Sequence, residues 1–475
     1  MKPALTLKTW LAGIGAGGVL ALVLMISQYA MGKLPIGFDV STAYLQNLAL
    51  PNASSPAELI KNFNTLYLIL DRVQAWSHLD ALLLLKITGI IIPLFLGGAF
   101  AILLYQLVRP AWWVYGLCLV MIFFQPAFLR FSWDLYRNSF ALGCALITVN
   151  CLITFRRRPR FWPVILGLLT LGLALISHQM VAFCCVLGIV LYALYLLSRR
   201  ISQSTTASFF YIFIVVVGYL VVSSSIHFLN FDLRTTVVFP EVGLVTDLFW
   251  LLYVPIIPFV LYGLKRFHHP VFIAFTLILL FQAFSPLLTP SHPFFLWDRW
   301  MYFLIIPFGI LAAAGFKEIS LLGLKKWQTV GLLCLCTLLS MINGIRFLVP
   351  SWQIQTATPQ PQDNLFSYFP PTFQWDAIGK ENAANVQQAA NVLLADYDGT
   401  SPIYTSTQYE GFIWYYLPTL APRIEVRDDT NNDPWSAPTT RYYLFGIDYA
   451  ELAEGNILPG SPTNQPVQLY DANHP

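Results

Sequence analysis

Runs of about twenty mainly apolar residues return throughout the first 349 positions of this chain. A backbone crossing hydrocarbon must satisfy every amide within its own segment, so runs of this kind fold as membrane helices. Reading them off gives about eleven, at roughly 10–31, 83–107, 111–129, 138–155, 161–177, 179–198, 208–226, 246–264, 270–288, 300–316 and 329–349. Of the 475 residues 57% are hydrophobic and 11% charged, whereas a soluble domain carries about 25% charged residues. The expected fold class is therefore a polytopic α-helical membrane protein, and a soluble enzyme, a disordered chain and a coiled coil are excluded. The first run is too long for a signal peptide and lacks a small-residue cleavage site before Lys33, so it reads as a retained helix.

Lysine and arginine in short loops mark the cytoplasmic side. With the N-terminus inside, the inner connections receive Lys2, Lys8, Arg109, Arg156 to Arg158, Arg160, Arg199, Arg200, Lys265, Arg266, Lys317, Lys325 and Lys326. An odd number of spans then puts Pro350 to Pro475 outside. The net charge of +3, from 27 basic and 24 acidic residues, is too balanced for a nucleic-acid partner. All seven cysteines fall inside apolar runs and read as small core residues, and no zinc motif accompanies them.

Two domains are expected, a transmembrane domain over residues 1–349 and an extracytoplasmic soluble domain over 350–475. The long first outer loop, 32–82, carries Glu58 to Leu70 and Asp71 to Leu82 with apolar residues at helical spacing, the pattern of helices lying in the interface. The tail reads as a small α/β domain. It has strand-like runs at Pro402 to Thr407 and Arg441 to Phe445, a helical pattern at Ala383 to Ala395, and an aromatic strand, turn and helix over Tyr404 to Tyr416 whose surface suits a membrane. No internal repeat is evident, which argues against transporters built from repeated halves.

Ionisable residues gather at the outer ends of the spans, where hydrocarbon makes charge costly. They are Asp39, then Arg130, Asp134 and Arg137, then His178, then Arg234, then His292, Asp298 and Arg299. Asp39 suits a general base, or a cap for a helix over Val40 to Leu48. Arg137 and Asp134, three apart, share a helical face and suit a pair, and Arg130 shares that face at spacing seven. Arginine also matches phosphate oxygens with a bidentate fork. Arg299 lies between Trp297 and Trp300, so an interfacial anchor is the competing reading. His178 sits between two apolar runs with almost no loop, placed to cap a tight turn or to stand beside a phosphate.

This arrangement resembles the GT-C superfamily of polytopic glycosyltransferases, which includes protein mannosyltransferases, aminoarabinose transferases and oligosaccharyltransferases. The segment Gly37-Phe-Asp39-Val-Ser-Thr-Ala-Tyr44 is similar to the family's acidic first outer loop, and Asp298-Arg299-Trp-Met-Tyr-Phe through Ala312-Ala-Ala-Gly315 to its late Arg-led aromatic span. The family's acidic doublet is absent, since Val40 follows Asp39. The resemblance therefore leaves a divalent metal open, and no metal-binding motif or other cofactor is read from the residues. It implies transfer of a sugar from a polyprenyl-phosphate donor to a glycan, lipid or protein acceptor on the non-cytoplasmic face. Asp39 is then the general base, Arg130, Arg137, Arg234 and Arg299 bind the donor phosphate, and Asp134, His178, His292 and Asp298 support them. A transporter or flippase for a lipid-linked saccharide and a non-catalytic assembly protein are the competing classes.

Overall fold

The computed structural model describes residues 7–30, 40–49, 55–133, 135–201, 205–225, 242–267, 269–288, 297–320, 326–348, 380–405, 409–426, 442–445, 456–457 and 467–470. These divide between two compact units: Met1–Leu22, Ile92–Leu348 and Leu365–Pro370 in one, Val23–Ile91, Val349–Asn364 and Pro371–Pro475 in the other.

The apolar runs are helices: α1 (Leu7–Ala30), α5 (Ala81–Val108), α6 (Trp112–Phe123), α7 (Pro126–Trp133), α8 (Tyr136–Arg157), α9 (Phe161–Ser177), α10 (Gln179–Ile201), α11 (Thr205–Ser225), α12 (Val242–Tyr253), α13 (Ile257–Leu264), α14 (Pro270–Ala283), α15 (Ser285–Leu288), α16 (Trp297–Phe303), α17 (Ile305–Ser320) and α18 (Lys326–Leu348). Among the described residues, five stretches are long and apolar enough to cross a membrane: α5, α8, α10, α16 with α17, and α18. The pair α12 and α13, bent by 82° at its break, makes a sixth. Pro255 and Pro258 explain that bend, because each removes a backbone donor. Leu168, Leu169, Phe209, Phe210 and Phe213 are all at least 60% exposed, while Gln125, Asn150, Gln282 and Ser340 are buried. Apolar outside and polar inside is the organisation that lipid selects, and the chain is an integral membrane protein.

Buried polar groups tie this bundle together. Asn150 donates to the Ala99 carbonyl at 2.9 Å and accepts from Gln106 at 3.2 Å, and Gln125 donates to Ser340 at 2.8 Å. The C-terminus of α5 ends on Arg109 in a left-handed conformation, φ 50°. Two cations cover its last carbonyls: Lys317 donates to Val108 at 2.8 Å and Arg157 to Gln106 at 2.9 Å. Positive charge interacts favourably with the negative end of the macrodipole at a helix C-terminus, so Lys317 and Arg157 hold this end of the bundle together.

In the other unit the first loop folds into a π-helical turn at Val40–Tyr44, then α2 (Leu45–Ala49), α3 (Pro56–Lys61) and α4 (Thr65–Ser77). The two long interfacial helices expected there are broken up. Ser55 and Glu58 form a reciprocal capping box on α3, which restarts the helix; this holds the Glu58 carboxyl below the usual range, mainly through the Ser55 backbone amide. Phe63 and His78 take left-handed φ values of 59° and 54°, which end α3 and α4. Asp80 then caps α5 by accepting from the Leu82 and Leu83 amides at 3.0 and 3.2 Å.

The C-terminal residues form α19 (Lys380–Asp396), β1 (Ile403–Thr405), α20 (Glu410–Tyr416), β2 (Ile424–Val426), β3 (Tyr442–Phe445), β4 (Asn456–Ile457) and β5 (Val467–Tyr470). The sheet order is β2-β1-β3-β5-β4, with β1 parallel to β2 and β3, and β5 antiparallel to β3 and β4. β1 is buried throughout, as a central parallel strand covered on both faces should be. The aromatic helix α20 packs on α2 and the π-helical turn, with Phe412 and Ile413 buried, so those side chains meet protein. Tyr415 donates its hydroxyl to Asp80, and burial followed by that carboxylate pushes the phenol pKa up. Tyr415→Phe is expected to cost about 0.5–1.5 kcal/mol, read as a lower melting temperature of the detergent-solubilised protein, with no loss of helix content.

Candidate functional site

Three chain breaks within the membrane unit bring ionisable groups to one end of it. The first lies between α7 and α8, where the helical path stops after Trp133 and resumes at Tyr136. Ser139 reaches back from α8 and donates to the Phe131 carbonyl at 2.6 Å, occupying an acceptor that the broken helix frees. Arg130 and Arg137 therefore lie on different helices. The shared face expected from their spacing of seven is not formed, because a side chain captures the carbonyl that a continuous helix would use.

The second break is the α9–α10 turn. His178 is extended, φ −159° and ψ 125°, and only 4% exposed. Its Nδ1 accepts from the Met180 amide at 3.3 Å, and its carbonyl accepts from Ala182 at 2.9 Å. The imidazole thus caps α10, and with Nδ1 accepting, its proton sits on Nε2. Burial, then Arg137, then Arg299 push its pKa well below the usual 6.5. Arg137 from α8 and Arg299 from α16 thus both act electrostatically on a neutral histidine that retains one N–H to donate.

The third break separates α16 from α17. Arg130, 4% exposed, lies over the Tyr302 ring at 6.0 Å, and the Tyr302 hydroxyl donates to Asp298 at 3.4 Å. Rings lock this end. Phe183 meets Trp300 edge-on at 5.7 Å, and Phe131 meets Phe303 at 5.5 Å. The tryptophans that flank Arg299 and suggested an interfacial anchor, Trp297 and Trp300, are 3% and 1% exposed, too buried for a belt.

The structure thus places Arg130 in the last turn of α7, Arg137 at the start of α8, His178 at the α9–α10 turn and Asp298 and Arg299 at the start of α16, with Arg137 and Arg299 both acting on His178. Asp39, Asp134, Arg234 and His292 lie outside the described residues. Among the described residues no three His, Cys, Asp or Glu side chains group as ligands for a metal ion.

No family model matches the chain, and no curated protein matches it. It is similar to a solved protein. That is the crystal structure of ArnT from Cupriavidus metallidurans in the apo state, at 11% identity and a TM-score of 0.48, covering 96% of this chain and 97% of that one.

Sequence reasoning missed three further polar groups. The Asn138 amide nitrogen, the Ser177 hydroxyl and the Trp300 indole nitrogen are buried without a hydrogen-bond partner among the described residues. Each adjoins in sequence a residue already singled out: Arg137, His178 or Arg299. The antiparallel register of α8 and α9, fixed by Thr148 on Thr170 at 2.8 Å, carries Asn138 to the level of the Ser177–His178 turn. A buried polar atom without a partner costs about 1–3 kcal/mol. Neutral Ser, Asn and Trp carry no charge signal in a sequence, and only their burial marks them.

Proposed function

We propose that this chain is a GT-C glycosyltransferase with about eleven spans, moving a sugar from a polyprenyl-phosphate donor to an acceptor at the non-cytoplasmic face. The reading that the positive-charge bias supports has the N-terminus in the cytoplasm and the C-terminal α/β domain outside. The observation that carries the functional reading is a buried His178 on which Arg137 and Arg299 both act electrostatically, with the Asn138, Ser177 and Trp300 polar atoms buried without partners among the described residues. Two guanidinium groups and an N–H donor suit a phosphate better than any other common group.

In the reaction the acceptor hydroxyl or amine attacks the anomeric carbon, the bond from that carbon to the phosphate oxygen breaks, and its electron pair leaves on the phosphate. Arg137 and Arg299 stabilise the charge that develops there, and His178 donates Nε2–H to a phosphate oxygen. Asp39 takes the acceptor proton, and the anomeric configuration inverts. Arg130 and Arg234 assist at the phosphate, while Asp134, His292 and Asp298 hold the cations in place. The isoprenoid tail stays in lipid, so no nucleotide-binding loop is needed.

The test adds purified protein in vesicles to radiolabelled polyprenyl-phosphate sugar and an extract of glycan, lipid and protein acceptors. The wild type transfers label, and Asp39→Asn lowers transfer by about 10²–10⁴-fold, the range of general-base contributions. Equal transfer by the variant removes Asp39 as base. Donor movement across the vesicle without transfer by either protein replaces the transferase with a flippase.

A further inference from the structure

At the opposite end of the membrane unit, α1 and α6 leave a cavity of about 300 Å³ between them. Arg137 and Arg157 stand at the two ends of α8, about 30 Å apart at 1.5 Å per residue, and Arg157 bonds the end of α5 beside Arg109. This cavity therefore begins a full hydrocarbon thickness away from the site above.

Its direction follows from three sets of contacts. α1 runs antiparallel to α5, because a Cβ on Gly13 would meet Ile102 and Gly98, one on Gly17 would meet Leu94, and Leu20 faces Gly97. α6 also runs antiparallel to α5, with Trp112 stacked on Tyr105 at 5.2 Å and Phe123 beside Phe100 at 6.4 Å. Hence α1 and α6 are parallel, and their charged flanks, Lys8 and Arg109, lie at the same end. From Ala12 to Leu20 the cavity runs about 12 Å, close to the roughly 15 Å of one leaflet.

Its lining excludes a polar ligand. Small residues, Ala12, Gly15, Ala16 and Gly116, hollow the walls, and Phe123 closes the inner end. The one hydroxyl, from Tyr115, is already spent on the Ala101 carbonyl at 2.7 Å. An apolar slot of leaflet length, with Lys8 and Arg109 in the chain just before its first lining residues on α1 and α6, matches one amphiphile with a hydrocarbon chain and an anionic head.

We propose that this cavity holds an acyl chain of an anionic phospholipid from the leaflet where the chain begins, with its phosphate against Lys8 and Arg109. The lipid stays bound and fills the gap between α1 and α6, which the GT-C reading does not require.

Gly15 and Gly116 offer a direct test, because a Cβ at either meets nothing within 4 Å. A leucine at either position therefore enters the slot from one wall without displacing packed atoms. Gly218, equally open and on α11, is the control. Native mass spectrometry of each protein in mild detergent with phosphatidylglycerol or phosphatidylcholine reads the occupancy. Wild type and Gly218→Leu retain one phosphatidylglycerol and bind it in preference to phosphatidylcholine. Gly15→Leu and Gly116→Leu each lower that occupancy by more than about tenfold, and Lys8→Gln with Arg109→Gln abolishes the preference while leaving chain binding. Undiminished phosphatidylglycerol on both leucine variants, or no preference in the wild type, overturns the proposal. Label transfer in the assay above is a separate readout, so the lipid site can fail while the transferase reading stands.

Discussion

On the proposed transferase reading, Arg137→Gln and Arg299→Gln are each expected to reduce sugar transfer by about 10²–10³-fold, the usual loss on removing one group that stabilises a developing oxyanion. Both cations act electrostatically on the same buried imidazole, so the double variant loses less than the product of the single losses. His178→Gln retains a donor but not the ring, and falls between wild type and His178→Ala. The pH profile separates a donor from a general base. Burial, Arg137 and Arg299 hold the His178 pKa well below 6.5, so the ring stays neutral and keeps its Nε2 proton as the pH falls through 6.5. Transfer accordingly shows no acid limb from this residue near that value. Stability behaves differently, because the unfolded chain takes up a proton near 6.5 that the folded chain refuses. The folded state therefore loses stability as the pH drops below 6.5, until the folded pKa is reached. An acid limb centred near 6.5 that disappears in His178→Gln would show that His178 acts as a base, against the donor role.

Gly315→Leu and Gly263→Leu prevent recovery of a folded, monodisperse protein. A Cβ on Gly315 would fall against the Phe259 carbonyl and the Gly263 amide, and one on Gly263 against the Leu311 carbonyl, both far inside van der Waals contact. The obstacles are backbone atoms, which cannot swing aside as a side chain does. Overpacking costs about 1–3 kcal/mol in cores that can adjust, so these two lie at or above the upper end, a large share of a stability of about 5–15 kcal/mol. Pairs four apart on each helix, Phe259 with Gly263 and Leu311 with Gly315, make the close crossing that small residues permit in membranes. Phe259 also lies 5.1 Å from Phe316 at this crossing. Size-exclusion profiles and thermal unfolding in detergent check the prediction, with Gly218→Leu unaffected because its Cβ meets open space. A folded Gly315→Leu at wild-type yield would mean that α13 and α17 do not cross as described.

The small-residue run Ala312-Ala-Ala-Gly315 illustrates how a sequence signal changes meaning once the partner is known. It forms part of the resemblance to GT-C enzymes, yet its physical effect is to let α17 approach α13. His178 was legible as either a turn cap or a phosphate neighbour, and the fold makes it both: Nδ1 caps α10 and leaves Nε2 to donate. Arg299 was legible as a belt residue because two tryptophans flank it, but those rings are buried in the bundle.

The sequence by itself determined which stretches are apolar and helical and that lipid is their solvent, because helix hydrogen bonds close within each segment and apolar runs report that locally, but not that the runs at 111–129, 246–264 and 300–316 are each broken. It also marked β1, β3, α19 and α20, whose periodicity is equally local. Tertiary structure alone decided where α7 and α8 part company, placing Arg130 and Arg137 on separate helices as Ser139 takes the Phe131 carbonyl, and that α3 and α4 stop where Phe63 and His78 turn left-handed. It alone made Arg137 and Arg299 act on one buried His178, and it alone left the Asn138, Ser177 and Trp300 polar atoms buried without partners among the described residues. Those outcomes depend on which helices pack together, a property of pairs far apart in the chain that no single window of residues contains.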